Sequence, residues 1–395
     1  MTHLDIQAAA TNFIPQLQAR ADEIESNRFL PQDLAQSFAE AGLYASLMPQ
    51  IYGGLELPPM DALRLFETLA QGDASAAWCV MIGATSGMMV AWMPPEAACE
   101  VCGMKTPDAL LPSVESLPVL AGVFAPMGSA IPEGDGFRVQ GRWSWGSGSR
   151  NAHWIAGGCM VMRDGEPERM ANGLPLSRMM MAPAGEVNLL DTWHVSGLCG
   201  TGSTDFVMED CFIPQDRAIS LVTGKPLDRP VYKFSIFSFL AVAVSSVCFG
   251  IARGALDDLI VLAAEKRSQG AVKPLALREA TQTDVARSEA VVRSARAFLY
   301  ESVERAWESV NKNGYVSVEE RRDMRLAAAY GAQACVDVVD IAYRLGGGSS
   351  IFRTSPLQRR FRDIHVATQH MMVGSNNLTQ MGRLFLNVET DTTMF

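Results

Sequence analysis

The run Trp143-Ser-Trp-Gly-Ser-Gly-Ser-Arg-Asn-Ala-His-Trp154 is the stretch on which the fold turns. Upstream, Phe137 and Val139 alternate with polar residues and lead into Gly141-Arg142, the pattern of a half-buried strand. Downstream, Ile155 to Met162 forms a second apolar run. A Gly/Ser-rich turn between two strands lets backbone and short hydroxyls approach a flat ligand closely. Trp143 and Trp145 would give that ligand an aromatic wall. The same pattern also suits an ordinary hairpin with Gly in its turn.

Further outward, the strand pattern persists over residues 111–225. Leu120 to Phe124, Gly136 to Trp145, His153 to Met162, Ser177 to Met181, Val187 to Trp193 and Asp205 to Ile213 are short apolar or alternating runs separated by Gly, Pro and Asp. Regular short strands with turn signals point to a β-barrel or sandwich. Among them stands Gly197-Leu-Cys-Gly-Thr-Gly-Ser203, which opens no helix and so is not a Rossmann phosphate loop. Pro214 closes the region.

On both sides the period becomes helical. Ile6, Ala10, Phe13, Leu17, Ala21 and Ile24 make one apolar stripe, which Pro15 interrupts as a kink or a late start. Pro31 suits the first turn of a second helix ending near Gly42. Asp73 is placed to cap the uncharged run Ala74 to Met93. That run is long enough to span a bilayer. Its Ser and Gly residues and its lack of basic flanks fit a helix buried on all sides better. Towards the C-terminus, Val285, Val292, Ala295, Leu299, Val303, Ala306 and Val310 share a face. Ser317 and Glu320 form a capping box, Gly346 to Gly348 end that helix, and the whole reads as a four-helix bundle. The Ala and Ser residues of Phe239 to Ala255 permit close helix contacts and suit a subunit interface.

The 395 residues exceed what one core usually holds, so two or three packed units are expected. A hydrophobic share of 48% permits a large core, and a net charge of −10 argues against nucleic acid or an anionic membrane surface as partner. Met1-Thr-His-Leu-Asp5 has no basic n-region, so the expected location is cytoplasmic. Of eight scattered cysteines, Cys99 and Cys102 make one CxxC with no second pair, and they read as free thiols.

The arrangement of Trp145, Ser147, Gly148 and Trp154 resembles the flavin-contacting strand of the acyl-CoA dehydrogenase fold. Gly42-Leu-Tyr-Ala-Ser-Leu-Met-Pro49 with Tyr52-Gly-Gly-Leu55 resembles that family's passage before its third helix, and Gly200-Thr-Gly-Ser203 its cavity-lining loop. Leu345-Gly-Gly-Gly-Ser349 and Pro356-Leu-Gln-Arg-Arg-Phe-Arg-Asp363 resemble the region that holds the flavin dinucleotide, partly across a subunit interface. The resemblance implies an α+β fold with an N-terminal helical domain over 1–110, a central β-barrel over 111–225 and a C-terminal four-helix bundle over 226–395. It implies flavin contacts at Trp145, Ser147, Gly148, Thr201, Gly202, Ser203, Gly346, Gly347 and Arg362, and a homotetramer.

Within that fold, Ser-Gly after the aromatic is closer to the oxygenase components of two-component flavin monooxygenases, the branch of p-hydroxyphenylacetate hydroxylase and dibenzothiophene monooxygenase. A dehydrogenase must remove an α-proton from a thioester and needs a carboxylate base. Relatives place that Glu nine residues after the Arg of Arg-Asp, which here is Met371, or near Leu240, where Ile236 to Ala243 holds no acid. His370, eight after Arg362, stands where the monooxygenase branch has a His that serves as base or hydrogen-bond donor. Taken alone, it reads equally as a surface or core histidine. His365 and His370 are five apart, off the spacing of a helical metal pair, so no metal is expected. His194 is a candidate for the cavity wall, and His153 tops a strand. Ile82-Gly-Ala-Thr-Ser86 lacks the second His of several phenol hydroxylases, which leaves phenolic, indolic and heteroaromatic substrates open.

The resemblance therefore implies an oxygenase that takes reduced flavin (FADH2 or FMNH2) from a separate NAD(P)H-dependent flavin reductase. Dioxygen would add to the flavin as a C4a-hydroperoxide. Ser147 would meet flavin N5, the tryptophans would exclude solvent, and His370 would activate a small aromatic substrate. The alternatives are an FAD-dependent acyl-CoA dehydrogenase with a displaced base, and a flavin-free binding protein of the same fold.

Overall fold

Residues 3–170, 173–267, 269–393 and 395 are described by the computed structural model; Met1 and Thr2 of the N-terminal reading lie outside them. Five helices come first: α1 (His3–Asn27), α2 (Gln32–Glu40), α3 (Pro59–Gly72), α4 (Ala74–Gly87) and α5 (Pro95–Val101). Eight strands follow: β1 (Leu120–Glu133), β2 (Gly136–Gly146), β3 (Trp154–Arg163), β4 (Glu166–Pro167), β5 (Ser177–Pro183), β6 (Asn188–Leu189), β7 (Thr204–Pro214) and β8 (Ala218–Ile219). The chain then returns to helix with α6 (Pro230–Lys233), α7 (Ile236–Glu265), α8 (Glu279–Asn313), α9 (Val318–Gly346), α10 (Pro356–Ala367) and α11 (Asn376–Phe385).

Local signals set these boundaries. Asp73 accepts the Ala76 N–H at 2.9 Å and starts α4, satisfying one of the donors that a helix start leaves unpaired. Ser317 and Glu320 close their capping box at the head of α9. Gly314 ends α8 at φ 80°, where a Cβ would be strained. Pro15 lies inside a continuous α1, so it marks neither a break nor a late start.

Ala74–Trp92 and Ile236–Glu265 are long and apolar enough to cross a membrane, yet 94% and 89% of their most apolar windows are buried within the chain. Both are core elements. One apolar cluster runs from Ile6 and Leu17 through α3, α4 and α7 to Leu299, Val339 and Ile364, so the first and last helical regions share a core. The small residues of α7 make the close helix contacts that their pattern permits, within the same chain. A Cβ at Gly250 would stand 2.2 Å from the Glu67 carbonyl oxygen, and Gly331 of α9 packs on Phe249. Glu67 of α3 accepts from Arg296 Nε and Tyr300 Oη of α8, each at 2.6 Å, a buried charge held by two donors.

The strands make one mixed sheet in the order β6-β7-β2-β1-β3-β5-β8, with β4 on β3. Only β1 and β3 pair in parallel. The sheet wraps its own core of Val139, Trp143, Ile155, Met180 and Phe206, and its hydrogen-bonding path stays open between β6 and β8. Trp143 is fully buried in that core. Its ring stacks on Phe206 with centroids 5.1 Å apart, and Nε1 donates to Gly158 O at 2.7 Å. Gly128, Gly141 and Gly157 leave the slot it fills; a Cβ at Gly128 would meet the indole at 2.2 Å. Trp143 is therefore a core residue of this sheet, which is open where a closed barrel was expected, and this corrects its expected role as a ligand wall.

Candidate active site

The end of β2, the loop 197–203, the start of α4 and the turn after α10 meet at one place. Gly148 donates to Thr201 O at 2.9 Å and ties the first two together. Gly148 at φ 72° and Gly202 at φ 55° supply left-handed backbone without strain. Trp145 and Leu198 adopt it at φ 68° and 50°, where a side chain costs roughly 1 kcal/mol or more and is held only by its surroundings. Leu198 is held by Asp363 of α10, which accepts its N–H at 2.7 Å. Burial, and the nearby Asp73 charge, push the Asp363 carboxyl up to about 7. Gly197 leaves the room for this docking, since a Cβ there would lie 2.2 Å from the Arg362 carbonyl oxygen.

Three buried hydroxyls converge. Ser147 Oγ lies 2.6 Å from Ser203 Oγ, and Ser203 Oγ lies 2.6 Å from Thr201 Oγ1. Thr201 donates to Leu198 O at 2.8 Å. Trp78 of α4 donates its indole N–H to Ser147 Oγ at 3.1 Å. The Trp78 ring also packs edge-on against His370, with centroids 5.6 Å apart. His370 Nδ1 accepts the Met372 N–H at 3.3 Å. Burial pushes its pKa down to about 4, so the ring is neutral at pH 7. A neutral imidazole with Nδ1 accepting carries its proton on Nε2; the bond network thus assigns His370 as a donor.

The expected site residues divide. Ser147, Gly148, Thr201, Gly202 and Ser203 come together, and Trp78 links them to His370. Trp145 follows on β2 with its side chain exposed. Arg362 is already engaged, by Glu25 at 2.9 Å, Gln358 at 2.7 Å and Ser196 O, and it locks the loop to α1 and α10. Gly346 and Gly347 stand at the end of α9 beside Ser350, Leu357 and Lys266, whose Nζ bonds Gly346 O and Ser349. Within one chain they make no contact with the hydroxyl group. His194 lies on the surface beside Asp191 and Arg28 rather than in the cavity. His153 accepts the Val119 N–H at the head of β3, His365 pairs with Asp340, and Trp154 lies under Arg217. Cys99 and Cys102 are buried free thiols.

No carboxylate occupies either dehydrogenase position. Met371 is an exposed thioether, and the first two turns of α7 hold no acid. The residues present fit a flavin: buried hydroxyls at the floor, a Gly-rich strand end that brings backbone close, and an aromatic ring beside it.

The comparisons agree. The family model "Acyl-CoA dehydrogenase, N-terminal domain" matches residues 1–96, and "Acyl-CoA dehydrogenase, C-terminal domain" matches 242–375. The chain is 35% identical over 369 residues to the indole-3-acetate monooxygenase of Pseudomonas putida, covering 93% of this chain and 90% of that protein. It is 26% identical to the flavin-dependent monooxygenase, oxygenase subunit HsaA, of Rhodococcus jostii, covering 90% of this chain and 91% of that one. The structure of XiaF from Streptomyces sp. in complex with FADH2 and glycerol shares the fold, with TM-score 0.85, 22% identity and coverage of 98% and 97%. With helices, sheet and bundle in the family's order and no carboxylate at either dehydrogenase position, the chain belongs to the acyl-CoA dehydrogenase family, among its flavin-dependent monooxygenase oxygenase components.

Proposed function

We propose that this protein uses reduced flavin and O2 to insert one oxygen atom into a small aromatic substrate, with the flavin reduced by a separate NAD(P)H-dependent reductase. The observation that carries this is the pairing of the Ser147 hydroxyl group with a neutral, Trp78-packed His370 where a dehydrogenase would need a carboxylate. Bound reduced flavin supplies the two electrons that activate dioxygen. When flavin is bound, Ser147 would hold the hydrogen at its N5 and Trp145 would shield the ring. His370, as an Nε2–H donor, polarises the substrate's ring heteroatom or substituent. The burial of Ser147, Ser203, Thr201 and Trp78 keeps water from these bonds, which strengthens them.

The 35% identical relative named for indole-3-acetate favours an indolic substrate as the first to test. Gly346 and Gly347, which stand apart from the hydroxyl group, suit a dinucleotide tail reaching a neighbouring copy in a homotetramer, which favours FADH2 over FMNH2. A cytoplasmic location would suit a partner reductase that draws on NAD(P)H.

The test supplies FADH2 or FMNH2, O2 and a panel of indolic, phenolic and heteroaromatic compounds, and reads products by mass for one added oxygen. Calorimetry accompanies it and should show reduced flavin binding far more tightly than oxidised. Anaerobic bleaching of bound FAD by an acyl-CoA, with no oxygenated product, would replace this reading with the dehydrogenase.

A further inference from the structure

The hydrogen bonds around Ser147 have a direction that follows from counting protons. A hydroxyl has one to give. Thr201 gives its proton to Leu198 O. The 2.6 Å contact between Thr201 and Ser203 is therefore made with the Ser203 proton. Ser203 then has none for Ser147, so their 2.6 Å contact uses the Ser147 proton. The Trp78 indole, which can only donate, points at Ser147 Oγ. The order is Trp78 to Ser147 to Ser203 to Thr201 to the Leu198 carbonyl. Neither end can reverse, because an indole N–H does not accept and a carbonyl does not donate. Ser147, Ser203 and Thr201 are 6%, 4% and 1% exposed, so water offers little competing partner.

Ser147 is left with a free lone pair and no free proton. The geometry points to a hydroxyl chain in which Trp78, Ser203 and Thr201 fix Ser147 as an acceptor and so select reduced flavin, whose N5 bears a hydrogen, against oxidised flavin, whose N5 offers only a lone pair. A serine free to rotate would serve both forms, donating to one and accepting from the other. The chain turns an adaptable contact into a redox-state filter, and it makes Trp78, Ser203 and Thr201 positioning residues. This inference rests on the Ser147–N5 contact proposed above.

Binding alone tests it, without turnover. Dissociation constants of oxidised and, anaerobically, reduced flavin are measured for the parent and four variants. Thr201→Val keeps the shape but removes the fixed end. Ser203 can then turn its proton to Ser147, and Ser147 its own to N5. The preference for reduced over oxidised flavin should shrink about five- to tenfold, the worth of one neutral hydrogen bond, chiefly through tighter oxidised flavin. Ser203→Ala should act in the same direction, because Ser147 loses its acceptor; it decides the matter if Thr201→Val does not fold. Thr201→Ser retains the chain and should retain the preference. If Thr201→Val and Ser203→Ala keep the parent preference while Ser147→Ala weakens reduced flavin, the contact stands and the filter is refuted. If Ser147→Ala changes neither constant, the contact itself is wrong and the proposed role of Ser147 falls with the filter.

Discussion

Ser147→Ala has two consequences that can be sized from its neighbours. In the flavin-free protein it strips the acceptor from the Trp78 indole N–H. Ser203 still donates to Thr201, so Trp78 is the single donor orphaned. Trp78 is 5% exposed, and a buried donor left without a partner costs about 1–3 kcal/mol. Urea unfolding should register that loss. Trp78→Phe removes the donor while keeping a ring against His370, so the double variant should be less destabilised than the two singles summed, with a coupling of about 1 kcal/mol. Additivity within ~0.5 kcal/mol would refute the bond. In the loaded enzyme, if Ser147 makes the proposed contact, the same substitution should release the hydrogen at N5. Losing ~1–3 kcal/mol there corresponds to roughly ten- to hundredfold faster peroxide release. Flavin should still be oxidised while hydrogen peroxide replaces product; quantifying both per flavin consumed is the assay. An unchanged product yield means that Ser147 does not hold N5.

Other expectations follow from His370, Asp363 and Met371. His370→Ala should slow oxygen transfer by about 10²–10³-fold, as removal of a preorganised donor does, while flavin oxidation continues; product at the parent rate returns His370 to a packing role. His370 sits at about 4 when folded and near 6.5 when unfolded, so between those values the unfolded chain binds more protons and stability falls as pH falls. The parent's loss of stability from pH 7 to 5 should exceed that of His370→Asn, and parallel urea profiles would refute the burial argument. Asp363 is raised to about 7 from an unfolded value near 4, so its contribution is lost as pH rises through that window. Asp363→Asn keeps an acceptor for the Leu198 N–H and should gain on the parent between pH 5 and 8; a constant difference in melting temperature across that range rejects this. Met371→Glu should not yield a competent dehydrogenase, since its exposed side chain is not set against a thioester; brisk acyl-CoA oxidation would show otherwise.

The layered architecture was legible because the hydrophobic period changes twice along the chain, and the caps at Asp73 and Ser317 were legible because their chemistry is local. Trp143 was misread although the pattern held the answer. It shares a strand face with Phe137 and Val139, and both pack in the core of the sheet. Trp145 departs from that face because its backbone turns left-handed, which alternation does not reveal. Trp78 was not found. It lies 69 residues from Ser147, in a helix so uniformly apolar that no face is marked out. Asp363 was read with Arg362 as part of a flavin cradle. Its partner is a backbone N–H 165 residues away, which only the assembled chain brings near.

The shared core of the two helical regions has a bearing on how the protein is made. Helix α3 buries its apolar face against α7, yet the ribosome delivers Ile236 roughly 160 residues after Gly72. At ~5–20 residues per second that interval is on the order of ten to thirty seconds. For that time α3 can pack on α1 and α4, while the face it gives to α7 waits uncovered and the sheet between them closes on its own strands. The nascent N-terminal segment is thus a natural client for holding chaperones, and synonymous changes that slow translation across the strand region would lengthen its exposure without altering one residue of the finished enzyme.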